Sequence, residues 1–180
     1  MGRGQIGTTQ PSEAALSRHP SLSDTHAVDS EIFSPETWHP TLKGLYDYWI
    51  SIHPLVGLPG RQHVDPCAFP HLLSRVFMVD VSRNPLRFKY RLVGTEYVYL
   101  MGRDLTGRYL DEVHPDFHGL ILRHYVEAAE RRRPAYRKGP IRYASPHREY
   151  FGMERVILPL AHNGFDVDVI LGAVMYIPTR

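Results

Sequence analysis

Residues 88–113 read FKYRLVGTEYVYLMGRDLTGRYLDEV, and their periodicity changes twice. Phe88, Tyr90 and Leu92 alternate with Lys89, Arg91 and Val93, the period of a strand with one inward face. Gly94-Thr95 breaks that strand. Tyr97, Val98, Leu100 and Met101 then fit about two helical turns, stopped by Gly102. Gly102 and Gly107 have the first spacing of a phosphate-binding Walker loop, but Arg108-Tyr109 stand where Lys and Ser/Thr are required. The glycines are therefore read as backbone punctuation, one ending a helix and one turning the chain.

Upstream of this stretch, Val76–Val81 is apolar and β-branched, and Ser82-Arg83-Asn84-Pro85 reads as a turn. Downstream, a long helix is predicted from Pro115-Asp116 to Arg132, with Phe117, Leu120, Ile121, Tyr125 and Ala128 as its buried stripe. Asp116 at its start and Arg131-Arg132-Arg133 at its end suit the helix dipole, and Pro134 stops it. Three strands follow, at Tyr136–Tyr143, Glu149–Leu160 and Val167–Ile177. Asn163-Gly164 predicts a tight hairpin with both central residues at positive φ. No internal repeat is visible.

Residues 1–34 are rich in Ser, Thr, Gly, Pro and His and carry few large apolar side chains. Such a segment cannot bury enough surface to offset its ordering entropy and is read as a mobile tail. A helix is expected to begin at Ser34-Pro35-Glu36, where a capping residue precedes proline and an early acid. Trp38, Leu42, Leu45, Tyr46, Trp49 and Ile50 give it one apolar face, and His53-Pro54 ends it. Asp65-Pro66 opens a second short helix through Leu72 and Leu73. The chain thus divides into a tail (1–34), a helical extension (35–75) and a core (76–178). Two strands, a helical crossover and three antiparallel strands imply an α+β sheet with helices on one face.

The 180 residues suffice for one domain without a disulfide or metal staple. The apolar fraction of 43% and charged fraction of 22% are those of an ordinary globule. A net charge of +2 from 21 Lys+Arg against 19 Asp+Glu gives no case for nucleic acid or an anionic membrane. Arg131–Arg133 and Arg137-Lys138 have a sufficient explanation at a helix end. Cys67 is the one cysteine, read as small and half-buried, so a cytoplasmic setting is expected. The N-terminus lacks the apolar core of a signal peptide, and Ile6 stands where a myristoylation motif needs Ser or Thr. No run approaches the length of a membrane span.

The local words resemble a bacterial, mainly alphaproteobacterial, family of PAS-like proteins. Its pattern is an N-terminal tryptophan helix, a Pro-x-Arg-x-x-x-Asp-Pro loop, an apolar strand, Tyr-Arg-Leu-x-Gly-Thr and Gly-x-Asp-x-Thr-Gly. Here these are Trp49, Pro59-Gly60-Arg61, Val64-Asp65-Pro66, Val76–Val81, Tyr90 to Thr95 through Arg91 and Gly94, and Gly102 to Gly107 through Asp104 and Thr106. The resemblance spans residues 38 to 178 in colinear order. It implies a PAS-like antiparallel sheet of five strands with a helical layer around a small pocket.

That resemblance frames three tests for a cofactor. A flavin photosensor of the LOV type needs a cysteine on the short helix after the second strand. Residues 96–108 contain none, which excludes thiol-adduct photochemistry. Haem-type PAS sensors use a histidine on the long helix, where this chain has His118 and His124. His124 lies beside the buried stripe, and a hydrogen-bonded or solvated histidine is the preferred reading, so haem is disfavoured. The eleven histidines are scattered, with no His-Glu-x-x-His and no cysteine pair, so no metal is expected. Pocket candidates are Tyr90, Tyr97, Met101, Phe117, Ile121, Tyr125, Tyr143, Met153 and Met175, residue types that either fill a core or line an adaptable apolar cavity. Arg91 should project opposite Tyr90 and pair with an acid such as Asp104.

No nucleophile elbow, metal motif or nucleotide fingerprint is visible, so the chain is not expected to be an enzyme. Two functions remain. One is a sensory or regulatory module that binds a small apolar or amphipathic ligand and signals through a partner protein. The other is a ligand-free interaction module, a homodimer through the Trp38–Trp49 helix. A haem-binding sensor is a further alternative.

Overall fold

The computed structural model describes residue 1 and residues 33–113, 118–141 and 150–178. Most of the predicted tail, with His114, Pro115-Asp116, Phe117, Tyr143 and Glu149, lies outside the described residues. Residues 33–178 belong to one unit, Phe33–Arg180.

Nine elements carry the architecture. Helix α1 is Pro40–Ser51, strands β1 and β2 are Val76–Ser82 and Arg87–Val93, and helices α2, α3 and α4 are Thr95–Met101, Leu110–Val113 and His118–Arg131. Strands β3, β4 and β5 follow at Ala135–Pro140, Tyr150–Leu160 and Val169–Pro178. The strands form one sheet in the order β2-β1-β5-β4-β3, with all pairs antiparallel. An antiparallel five-stranded sheet with short helices is the α+β arrangement the sequence implies.

Ladder register sorts side chains onto two faces, because directly opposed residues point the same way. Arg155 faces Val174, and Phe77 faces Gly172, on the inner side covered by α2–α4. Glu154 and Met175 face each other on the outer side. There α1 lies across β4 and β5, held by Trp49 Nε1–H donating to the Pro159 carbonyl at 3.0 Å. Residues 152–161 are accordingly buried without a break, as expected of strands covered on both faces. Trp38, Leu42, Leu45 and Trp49 are all buried, each contributing about 1.5–3 kcal/mol of burial.

Several boundaries differ from the sequence expectation. The first α-helix begins at Pro40, not at Pro35, where there is only one 3-10 turn, Pro35–Thr37. Pro40 disfavours helical geometry at His39, whose Nδ1 instead accepts from Thr41 N–H. The helix expected from Asp65-Pro66 is two 3-10 turns, Pro66–Ala68 and Pro70–Leu72, divided at the second proline. Asp65 caps the first through Cys67 N–H, and Cys67 itself is exposed.

The Asn163-Gly164 hairpin is also looser than predicted. Gly164 alone of the pair has positive φ, at 81°. Asn163 Oδ1 accepts from the N–H groups of Phe165 and Asp166, an Asx turn that stretches the connection over residues 161–168. Leu92, expected to face inward, is 46% exposed. The β1–β2 register shifts between Met78 and Val79, leaving Arg91 unopposed, and this bulge turns Leu92 to the outer face beside Met78.

Candidate functional site

The inner face of the sheet carries a cluster of aromatic rings. Phe77 lies 5.5 Å from Tyr97, 6.2 Å from Tyr90 and 6.4 Å from Tyr125, measured between ring centroids. Phe88 adds a contact of 5.6 Å to Tyr125. β2 supplies Tyr90 because its alternation turns Phe88 and Tyr90 to this face; α2 supplies Tyr97; α4 supplies Ile121 and Tyr125. The ring of Phe77 occupies the space above Gly172, where a Cβ would stand 2.2 Å from its Cζ. Gly172→Ala should therefore push Phe77 into the tyrosines and cost about 1–3 kcal/mol in urea unfolding. An unchanged midpoint would show that the ring can move freely.

The polar atoms of this interior are unusual. The Tyr90 and Tyr97 hydroxyls meet at 3.4 Å. Tyr125 is fully buried, and its hydroxyl has no geometrically sound hydrogen bond. Burial pushes the Tyr90 and Tyr125 phenols well above their ordinary range, so both stay neutral. Arg155 projects from β4 with its guanidinium carbon 5.3 Å from the Tyr125 ring centroid. Its Nη2 donates to His124 Nδ1 at 3.1 Å; since arginine cannot accept, that ring nitrogen carries no proton. Its Nε is buried without a partner.

Of the sequence-derived pocket residues, the structure brings Tyr90, Tyr97, Ile121 and Tyr125 together. Met101 is buried on α2, and Met153 is on the inner face two residues before Arg155. Met175 stands apart on the outer face, its Sδ accepting from Arg75 Nη1 at 2.8 Å. Phe117 and Tyr143 lie outside the described residues, as does the side chain of His118.

The motif residues hold the frame. Gly94 passes so close to the Leu73 and Ser74 carbonyls that a Cβ would stand 2.4 Å from the Ser74 oxygen. Thr95 then opens α2, tied down by Glu96 N–H to Ser74 and by the Arg75–Glu96 ion pair. Gly94→Ala should cost about 1–3 kcal/mol, read by thermal unfolding, because backbone must shift to admit the methyl. Gly102 closes α2 at φ 69°, and Gly107 turns at φ 81°. Asp104 Oδ1 accepts from Thr106 N–H, and hydrogen bonds from Thr106 hold its carboxyl below the usual range. Arg91 pairs with Asp80 at 3.1 Å, not with Asp104. Asp80 lies on the neighbouring strand, opposite Lys89, whereas Asp104 is committed to its own turn.

Sequence reasoning did not single out Glu154 or Arg155. Glu154 is buried on the outer face, where it accepts from His39 N–H, Tyr136 O–H and Lys138 Nζ at 2.8, 2.9 and 2.9 Å. Burial would raise its carboxyl, but those three donors outweigh burial and hold it below its ordinary value. The available signal was a charged Glu-Arg pair inside the otherwise apolar run FGMERVILPL. Among the described residues, no group of three or more His, Cys, Asp or Glu side chains is placed to hold a metal ion, and no helix is long and apolar enough to cross a membrane.

The sheet order and the aromatic interior shared by sheet and helices define a small α+β domain built around an aromatic core. A family model described as a PAS domain matches residues 37–175, and the chain belongs to that family. Among solved structures, a crystal structure of a sensory box sensor histidine kinase from Vibrio cholerae is similar at a TM-score of 0.46 and 11% identity, over 60% of this chain and 86% of that one. No curated protein matches the sequence.

Proposed function

We propose that this PAS domain is a non-catalytic sensory module of the cytoplasm, binding a small amphipathic organic ligand in its inner-face core and passing the signal to a partner protein. The observation that carries the reading is the Tyr125 hydroxyl, fully buried and near the Tyr90 hydroxyl yet with no well-formed hydrogen bond. A buried, unbonded hydroxyl costs about 1–3 kcal/mol, a cost that a ligand acceptor would remove. Methionines and tyrosines around it suit a site that adapts to one small molecule. The Tyr-Arg-Leu-x-Gly-Thr and Gly-x-Asp-x-Thr-Gly words support reading the chain as one of the alphaproteobacterial-type branch.

Native mass spectrometry and an absorption spectrum of freshly purified protein test this. A copurifying organic mass, retained in gentle ionisation and lost on unfolding, is expected. Visible bands would turn the reading to haem or flavin, and bare protein that no small molecule stabilises would sink it.

A second reading, a homodimer through α1, draws on Ile50, which remains 48% exposed on that helix while its neighbours pack on the sheet. Ile50→Glu should then convert a dimer to a monomer in sedimentation, and an unchanged association state would end that reading.

A further inference from the structure

Among the described residues, the guanidinium of Arg155 is a buried charge on the inner face whose environment does not compensate it. The residue is 5% exposed. Among the described residues it forms no ion pair. Its neighbours are a neutral phenol ring, an unprotonated imidazole nitrogen and the neutral hydroxyls of Tyr90 and Tyr125, and the residue opposite it across the β3–β4 ladder is a like charge, Arg137. The adjacent carboxylate, Glu154, points to the opposite face and is already engaged by three donors. A fixed cation in a low-dielectric core is costly unless an anion and hydrogen bonds compensate it. Arginine cannot escape that cost by losing its proton.

Two donors without a well-aligned acceptor therefore lie in the same interior, Arg155 Nε–H and Tyr125 O–H. Both belong to side chains more than nine-tenths buried, and the Tyr125 ring sits directly against the guanidinium. What would satisfy both is an oxygen acceptor with a formal negative charge; what would satisfy the surrounding rings is an apolar body.

We infer that the interior site selects a small organic monocarboxylate, its carboxylate held by Arg155 with Tyr125 as a second donor and its apolar body lying against the packed ring cluster to which Tyr125 belongs. This rests on the interior-ligand reading above and adds the chemical class. His124 is a positioning residue in this scheme, orienting the guanidinium through Nδ1 without touching the ligand.

The test uses the full chain and a panel of matched probes: straight-chain carboxylates from butanoate to dodecanoate, benzoate, and the corresponding alcohols. Thermal unfolding finds the stabilising members and titration calorimetry measures them. The expected result is stabilisation by at least one carboxylate, with its alcohol weaker by about ten- to a hundredfold, the worth of a charge-assisted hydrogen bond. Arg155→Met should abolish the preference while leaving the alcohol's affinity unchanged, and Arg155→Lys should retain part of it.

Alcohols that bind as tightly as their carboxylates would overturn this inference while leaving the interior-ligand reading intact. Chloride or nitrate that matches the carboxylates at equal ionic strength would also overturn it, since the site would then be a simple anion hole. A panel in which no member of either series stabilises would remove both readings.

Discussion

Trp49→Ala is expected to lower the unfolding free energy by about 3–5 kcal/mol, the usual cost of deleting a buried tryptophan. For a domain of this size that corresponds to a fall in Tm of about 10–15 °C. The side chain is only 3% exposed and does two things at once. Its rings fill the seam between α1 and strands β4–β5, within 4.2 Å of the His53 ring and 6.0 Å of Tyr46. Its Nε1–H also satisfies the Pro159 carbonyl, 110 residues along the chain. Trp49→Phe separates the two contributions, since it keeps most of the apolar contact and leaves the carbonyl unbonded. Its expected cost is about 1–2 kcal/mol. A loss below about 1 kcal/mol for Trp49→Ala would show that α1 adds nothing to the cooperative unit.

Glu154→Ala is expected to cost a similar amount, about 3–5 kcal/mol, because it leaves the partners of a buried charge unsatisfied. Three donors on two segments lose their common acceptor: the N–H of the residue before α1, and the Tyr136 hydroxyl and Lys138 ammonium of β3. Glu154→Gln isolates the charge, and its effect must depend on pH. The folded-state carboxyl titrates below its ordinary value, so its stabilisation is complete above the unfolded carboxylate pKa of about 4.3. It fades as pH falls through the lower folded value. Urea unfolding at neutral pH and near pH 3.5 should therefore show the gap between wild type and Glu154→Gln shrinking in acid. A gap that does not change with pH would mean that the charge itself contributes nothing.

Both substitutions act on the seam that sequence reading described least well. Alternation made Phe88 and Tyr90 legible as inward residues, because that signal is local to one strand. Leu92 broke the pattern through a bulge that arises only when β2 is aligned with β1, and no window on β2 alone contains that information. The same limit explains Glu154 and Arg155. Their partners His39 and His124 lie 115 and 31 residues away, so neither environment is a property of the strand that carries them. The interior candidates Tyr90, Tyr97, Ile121 and Tyr125 were legible because apolar periodicity marks burial. Periodicity could not distinguish Met153 from Met175, since the sheet face of each is set by pairing register. Asn163 was misread for a different reason: an Asn-Gly pair fits a tight hairpin, but the asparagine side chain competed for the turn's own N–H groups.

The rims of the sheet bear on how the domain can meet other proteins. Along β2, the segment after α2 lies against the free side: Gly107 N–H reaches the Tyr90 carbonyl at 2.7 Å, Tyr90 N–H reaches Arg108, and Tyr109 bridges to Lys89. At the opposite rim, β3 is short, carries Arg137 and Lys138, and ends in Pro140. Among the described residues, neither margin offers a long run of vacant amides and carbonyls for a foreign strand to zip onto. A partner protein of the kind proposed would then be met by side chains on helices and loops, which favours reversible docking over permanent sheet extension.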